Sequence, residues 1–107
     1  MKVLLDECVP APLRRALVGH EITTVEECGW KGLKNGILLR QAEDRFDAFL
    51  TADKNLRYQQ NLSGRRIAIL ELPVPHWPVL RRFLPEIQRA LDSLRPGDYL
   101  PLILSES

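Results

Sequence analysis

The sequence predicts an α/β protein in which a mostly parallel sheet of four or five strands lies between two layers of helices. Short apolar runs alternate along the chain with amphipathic stretches of helical spacing. The first run, residues 3–5, has no polar alternation, which is typical of a central strand covered on both faces. Acidic residues directly follow two of the runs, at the strand ends where open α/β sheets bind ligands. Together these observations favour a three-layer α/β/α sandwich.

The first half of the chain is predicted to hold three strands and two helices. Residues 3–5, within the stretch MKVLLDE, form the first strand. The helix after it has its apolar residues on one face and Gly19 as its left-handed cap. The β-branched residues 21–25 form the second strand. Asn35 is expected to cap the next helix, and residues 47–51 form the third strand.

The second half is predicted to hold two strands and one long helix. Residues 56–62 are polar and are expected to form a short helix or a loop, and residues 67–72 form the fourth strand. Apolar residues at helical spacing predict a helix over residues 80–94, which Pro85 should kink. Residues 99–104 form a last strand, and its proline favours a position at the sheet edge.

Size and composition indicate one soluble domain spanning residues 1–107. The net charge of +1 gives no overall basic field that would favour nucleic acid. No signal peptide is visible, and no apolar run approaches the roughly 20 residues needed to span a bilayer. We therefore expect a cytoplasmic protein without a membrane partner.

The cysteines and histidines show no spacing typical of a metal site. Cys8 and Cys28 are expected to be free buried thiols in a reducing cytosol. His20 and His76 are expected to lie in turns and to have no catalytic role.

The candidate chemistry lies in the acids that follow the strands. Asp6 and Glu7 follow the first strand, and Asp53 follows the third. If these strands are neighbours, the carboxylates converge in one crevice, where they repel each other unless a hard cation such as Mg²⁺ or Mn²⁺ binds. Such a site points to metal-dependent phosphodiester hydrolysis. The alternative is that Asp6 forms a turn and Glu7 is a solvated surface charge.

Four motifs resemble those of the small stand-alone PIN-like proteins. In order along the chain they are MKVLLDECVP, GWKGLKN, LTADKNL and RPGDYL. The resemblance covers nearly the whole chain and implies a PIN-like α/β/α fold, related to toxins of the VapC kind and to other metal-dependent ribonucleases. It also implies an RNA substrate and a small antitoxin protein as partner.

The resemblance assigns roles to individual residues. Asp6 and Asp53 match acids of the family and would hold Mg²⁺ or Mn²⁺, and Glu7 would bind the cation or orient a water molecule. Asn35 and Asn55 stand where the family usually has two further acids, so they would be neutral oxygen ligands. The loss of two charges should weaken cation binding, because hard cations favour carboxylates.

Several basic residues are candidates for contacts with an RNA backbone. Lys54 stands beside Asp53 and would contact phosphate or neutralise the acidic site. The other candidates are Arg14, Arg15, Arg57, Arg65 and Arg66. The alternative, which the net charge favours, is that these arginines are scattered over the surface.

Two functions from different classes follow from the sequence. The first is a metal-dependent endoribonuclease of the PIN-like type, for which the resemblance implies a toxin role. The second is a degenerate PIN-like domain that binds a protein or nucleic acid without cutting it, which the loss of two acids favours. A phosphatase acting on small substrates is disfavoured by the lack of a glycine-rich phosphate loop. The apolar last helix and the edge strand would also allow a homodimer.

Overall fold

The computed structural model describes residues 1–56 and 64–103, and five strands of this part of the chain form one sheet. The strand order is β2-β1-β3-β4-β5, and all four pairings are parallel. The strands are β1 (Lys2–Leu5), β2 (Glu21–Thr24), β3 (Ala48–Thr51), β4 (Ala68–Glu71) and β5 (Tyr99–Pro101). The predicted parallel sheet is confirmed, and β5 lies at its edge as expected.

Helices cover both faces of the sheet. The described part of the chain contains the α-helices α1 (Pro12–Ala16), α2 (Asn35–Glu43), α3 (Trp77–Leu80) and α4 (Leu84–Ser93). Buried side chains of α1, α3 and α4 pack on one face, and those of α2 pack on the other. The three-layer α/β/α sandwich is therefore confirmed.

Strand β1 shows why its apolar run has no polar alternation. Val3 and Leu5 are buried against the face covered by α1, α3 and α4, whereas Leu4 is buried against the face covered by α2. A strand with helices on both faces needs apolar side chains at every position. Its partners on either side are β2 and β3.

The predicted long helix over residues 80–94 was wrong, because this stretch contains a break. Helix α3 ends at Leu80, a 3₁₀ turn covers Arg81–Phe83, and α4 then starts at Leu84. Pro85 lies in the first turn of α4. A proline there costs no hydrogen bond, since the first N–H groups of a helix have no partner within it. Pro85 therefore starts a new helix and does not kink an existing one.

Two helix ends differ from the prediction. Helix α1 ends at Ala16, and the next residue, Leu17, is extended. Gly19 has the expected positive φ of 82°, but it lies in the turn that leads to β2. The N-cap of α2 is Lys34, and Asn35 is the first residue of the helix. The side chain of Asn35 is therefore available for another contact, which is described below.

Three further sequence-based expectations concern membrane spans, residues 56–62 and the end of the last strand. In residues 1–56 and 64–103, no helix has the length and apolar character required to cross a membrane. The predicted helix or loop at 56–62 lies outside the described residues except for Leu56, which is fully buried. The β5 strand ends at Pro101, and Leu104 at the predicted end lies outside the described part.

Candidate functional site

The order of the strands places a crevice at the carboxyl ends of β1 and β3. The chain proceeds from β1 outward to β2 on one side, and then returns to β3 on the other side of β1. Ligands of open α/β sheets bind in the crevice where the order reverses in this way. A cleft of about 460 Å³ lies there. Its lining contains Asp6, Glu7, Asn35 and Asp53, together with Cys8, Gly32, Leu33, Ala52 and Pro75.

Asp6 is fixed at the end of β1 by hydrogen bonds to both of its oxygens. Its own N–H continues the sheet by donating to the carbonyl of Leu50 at 3.0 Å. Its Oδ1 accepts the N–H of Glu7 at 2.8 Å, and its Oδ2 accepts the hydroxyl of Thr51 at 2.7 Å. The side chain is half-buried. Asp6 therefore has a defined position in the cleft.

Thr51 links the two aspartates, a role that the sequence did not predict. It is fully buried at the last position of β3. Its Oγ1 donates to Asp6 and accepts the N–H of Asp53 at 3.0 Å. The available signal was a hydroxyl residue at the end of the otherwise apolar run AFLT. A buried hydroxyl needs hydrogen-bond partners, and here the partners belong to the two candidate acids.

Asp53 contacts both asparagines that replace family acids. Its Oδ1 accepts the backbone N–H of Asn55 at 2.9 Å, and its Oδ2 accepts the side-chain Nδ2 of Asn35 at 3.2 Å. The structure thus brings Asp6, Asn35 and Asp53 together in the cleft, whereas Asn55, the fourth predicted ligand, is exposed and is not among the residues that line it. Asn35 presents an N–H to Asp53, so its amide must rotate before its oxygen can serve as a cation ligand.

Glu7 lies at the exposed rim of the cleft. Its Oε1 accepts the backbone N–H of Gly32 at 2.9 Å. This contact joins the loop after β1 to the loop between β2 and α2. Glu7 lies in the turn that follows β1, in which the N–H of Val9 donates to the carbonyl of Asp6 at 3.1 Å.

Five of the six carboxylate oxygens of Asp6, Glu7 and Asp53 therefore accept a hydrogen bond from a described residue. The donors are backbone amides, a hydroxyl and a side-chain amide, all of them neutral. Within residues 1–56 and 64–103, no three His, Cys, Asp or Glu side chains are grouped closely enough to hold a metal ion. The oxygen donors are nevertheless of the type that Mg²⁺ and Mn²⁺ prefer.

Cys8 differs from the prediction of a buried thiol. The residue is exposed, and Cys28 is half-buried. The sulfur of Cys8 turns inward, where it accepts the N–H of Ala52 at 3.4 Å and lies 3.5 Å from Oδ2 of Asp6. Burial of the sulfur raises the pKa of the Cys8 thiol. The thiol is therefore protonated at neutral pH and is a poor nucleophile.

The basic residues that were predicted to contact RNA phosphates lie in different parts of the molecule. Lys54 follows Asp53 and is exposed, but it is not among the residues that line the cleft. Arg14 forms a two-pronged ion pair with Glu27, so its charge is offset. Arg66 precedes β4, at the opposite end of the sheet, and pairs with Asp44 there at 3.4 Å. Arg57 lies outside the described residues.

Glu43 and Asp44 lie at the far end of helix α2, away from the cleft. Asn35 begins the helix at the cleft, and Glu43 ends it near the amino-terminal ends of the strands. There Oε1 of Glu43 accepts the backbone N–H of Arg66 at 2.6 Å. These two acids cannot replace the charges that are missing at Asn35 and Asn55.

The two histidines and Trp30 have structural contacts. His20 precedes β2; its Nδ1 is 3.3 Å from the N-terminal amine of Met1, and its Nε2 is 2.6 Å from Oδ1 of Asp92. His76 is the exposed N-cap of α3. Trp30 packs edge-on against Phe46, with ring centroids 6.1 Å apart. No described contact gives these residues a role in the cleft.

Comparisons with known proteins identify no relative of the chain. No protein-family model matches it, no curated protein matches it, and no solved structure matches it. The resemblance to PIN-like proteins therefore rests on the four sequence motifs alone and stays a prediction.

Proposed function

We propose that the chain is a PIN-like domain whose cleft binds Mg²⁺ or Mn²⁺ and hydrolyses RNA. The observation that supports this most is the position of Asp6 and Asp53 in one cleft, at the point where the strand order reverses. Two carboxylates at such a crevice are suitable ligands for a hard cation. The four motifs quoted above support the same reading.

In this proposal Asp6 and Asp53 are the charged ligands, and Asn35 and Asn55 supply neutral oxygens. Thr51 holds Asp6 in place through its 2.7 Å hydrogen bond. A bound cation would lower the pKa of a water molecule and stabilise negative charge on the phosphate. Lys54, exposed next to Asp53, contacts the RNA backbone.

The proposed substrate implies a cytoplasmic protein. A toxin role, with a small antitoxin protein as partner, is part of the proposal only through the resemblance. A homodimer also stays a prediction.

The test is cleavage of a panel of single-stranded RNAs of varied sequence, with Mn²⁺, with Mg²⁺ and with a chelator. We expect cleavage that requires the cation and is lost in Asp53→Asn. Asp44→Asn is the matched control, because it removes the same charge at the opposite end of the sheet. Intact RNA in every reaction of the folded wild type would refute the proposal.

A second candidate function is a PIN-like domain that binds a partner without catalysis. The specific observation that favours it is that neutral hydrogen-bond donors of the protein already satisfy five carboxylate oxygens. A cation would therefore share these oxygens with donors that the protein already supplies, which lowers the gain from binding it. RNA binding that is retained in Asp53→Asn, without cleavage, is the result expected of this second function.

A further inference from the structure

We infer that Glu7 is a positioning residue that straps the loop between β2 and α2 against the cleft, and that it is not a cation ligand. The loop, residues 25–34, supplies Gly32 and Leu33 to the cleft wall. If the cleft binds a cation and RNA as proposed above, the strap also holds one side of that site in place, and this part of the inference rests on the proposed function.

The strap is the hydrogen bond from the N–H of Gly32 to Oε1 of Glu7, at 2.9 Å. It joins two residues that are 25 positions apart and that both line the cleft. Gly32 has a φ of 83°, a conformation that other residues rarely adopt. A Cβ at this position would meet no atom within 4 Å, so the glycine is required for its backbone conformation and not for space.

The loop is anchored to the protein interior on its other side. Trp30 packs against Phe46, and the guanidinium of Arg45 lies 5.1 Å from the centroid of the Trp30 ring. The N–H of Leu33 donates to the carbonyl of Trp30 at 3.1 Å. Lys31 and Gly32, which follow Trp30, are exposed. The bond to Glu7 therefore restrains the part of the loop that this interior packing does not hold.

The two roles of Glu7 make different demands on its side chain. A strap needs an oxygen that accepts an N–H, and the side-chain oxygen of glutamine meets this need. A ligand of a hard cation needs the negative charge, which glutamine lacks. Glu7→Gln and Glu7→Ala therefore distinguish a strap from a ligand.

The first experiment measures amide exchange with solvent by NMR in the metal-free protein. In Glu7→Ala we expect the amide of Gly32 to exchange about tenfold faster than in the wild type, because its acceptor is lost. In Glu7→Gln we expect exchange within about threefold of the wild type. Glu21→Ala, an exposed charge at the start of β2, is the control and should leave Gly32 unchanged. Equal rates in the wild type and Glu7→Ala, or equally fast exchange in Glu7→Gln and Glu7→Ala, would overturn the inference.

The second experiment titrates Mn²⁺ into the wild type and Glu7→Gln. A strap predicts equal affinity within about twofold, and Gly32 stays protected when Mn²⁺ binds. A tenfold or larger loss of affinity in Glu7→Gln, with loss of Gly32 protection on Mn²⁺ binding, would make Glu7 a ligand. If the wild type binds no Mn²⁺, the proposed function fails, and the exchange rates of the metal-free protein still decide whether Glu7 is a strap.

Discussion

Replacement of Thr51 by valine tests whether one hydroxyl holds the two candidate acids together. The two side chains have nearly the same shape, so Thr51→Val removes the hydroxyl and leaves no cavity. The variant loses the 2.7 Å hydrogen bond to Asp6 and the 3.0 Å hydrogen bond from the N–H of Asp53. Thr51 is fully buried, so no water molecule takes the place of its Oγ1 without a rearrangement.

The size of the effect follows from these two bonds. A hydrogen bond to a charged acceptor contributes about 1.5–3 kcal/mol, and one between neutral groups contributes about 1 kcal/mol. Asp6 is half-buried, so solvent offsets part of its loss. We therefore expect Thr51→Val to lower the free energy of unfolding by about 2–3 kcal/mol. Thr51→Ser keeps the hydroxyl and loses one methyl group, which costs about 1 kcal/mol.

Urea unfolding at pH 7 measures both variants. The midpoint and the slope together give the free energy of unfolding, and an unchanged slope shows that only stability has changed. Thr51→Val should be the less stable of the two, although it keeps more apolar surface. If Thr51→Val were as stable as Thr51→Ser, the hydroxyl would not hold the aspartates, and our account of the cleft would be wrong.

Two further predictions concern groups outside the cleft. The backbone N–H of Thr24, and after it Arg14, lower the pKa of Glu27 below its ordinary value of 4.5. The stabilising contribution of the Glu27 carboxylate is therefore present above pH 4.5, and it is lost as the pH falls through the lower pKa of the folded state. Glu27→Gln should therefore lose less stability than the wild type in this acidic window, measured by urea unfolding between about pH 6 and pH 3; parallel curves would contradict this. Tyr99 donates its hydroxyl proton to the buried carboxylate of Glu71 at 2.5 Å, so Tyr99→Phe should lower the free energy of unfolding by about 1–3 kcal/mol. Thermal or urea unfolding checks this, and an equal loss in a Glu71→Met background, which has no oxygen to accept the hydroxyl proton, would show that the two residues are not coupled.

The sequence predicted the sheet well, because burial on both faces leaves a clear pattern. The apolar run of β1 correctly predicted a strand in the interior of the sheet, paired on both sides. The prediction that Asp6 and Asp53 converge depended on β1 and β3 being neighbours, and they are. In a parallel sheet, residues that follow two neighbouring strands lie at the same end of the sheet, so the two side chains come close together.

The break between α3 and α4 was not visible in the sequence. The apolar residues Leu80, Leu84 and Ile87 keep the spacing of one helix and all pack against the same face of the sheet. Such spacing cannot distinguish one kinked helix from two helices joined by a short 3₁₀ turn. The proline at 85 is compatible with both, since it disrupts the middle of a helix and is well tolerated in its first turn.

The contacts of the candidate site could be predicted only in part. The motif identified Asp6 and Asp53, but it did not indicate which atoms satisfy their oxygens. Thr51 was read as the end of a strand, and Asn35 as the cap of its own helix. Thr51 does end β3, but its side chain and that of Asn35 bond to residues far away in the sequence, which the patterns did not indicate. Contacts of this kind depend on the register between strands, which no local pattern specifies.

The central claim, that the cleft binds a divalent cation, is tested most directly by calorimetric titration of Mn²⁺. The wild type, Asp6→Asn and Asp53→Asn are compared, with Asp44→Asn as the control at the opposite end of the sheet. We expect binding at one site in the wild type and in Asp44→Asn, and none in the other two variants. Absence of binding to the wild type at millimolar Mn²⁺ would contradict the claim. Binding that both cleft variants retain would place the cation elsewhere.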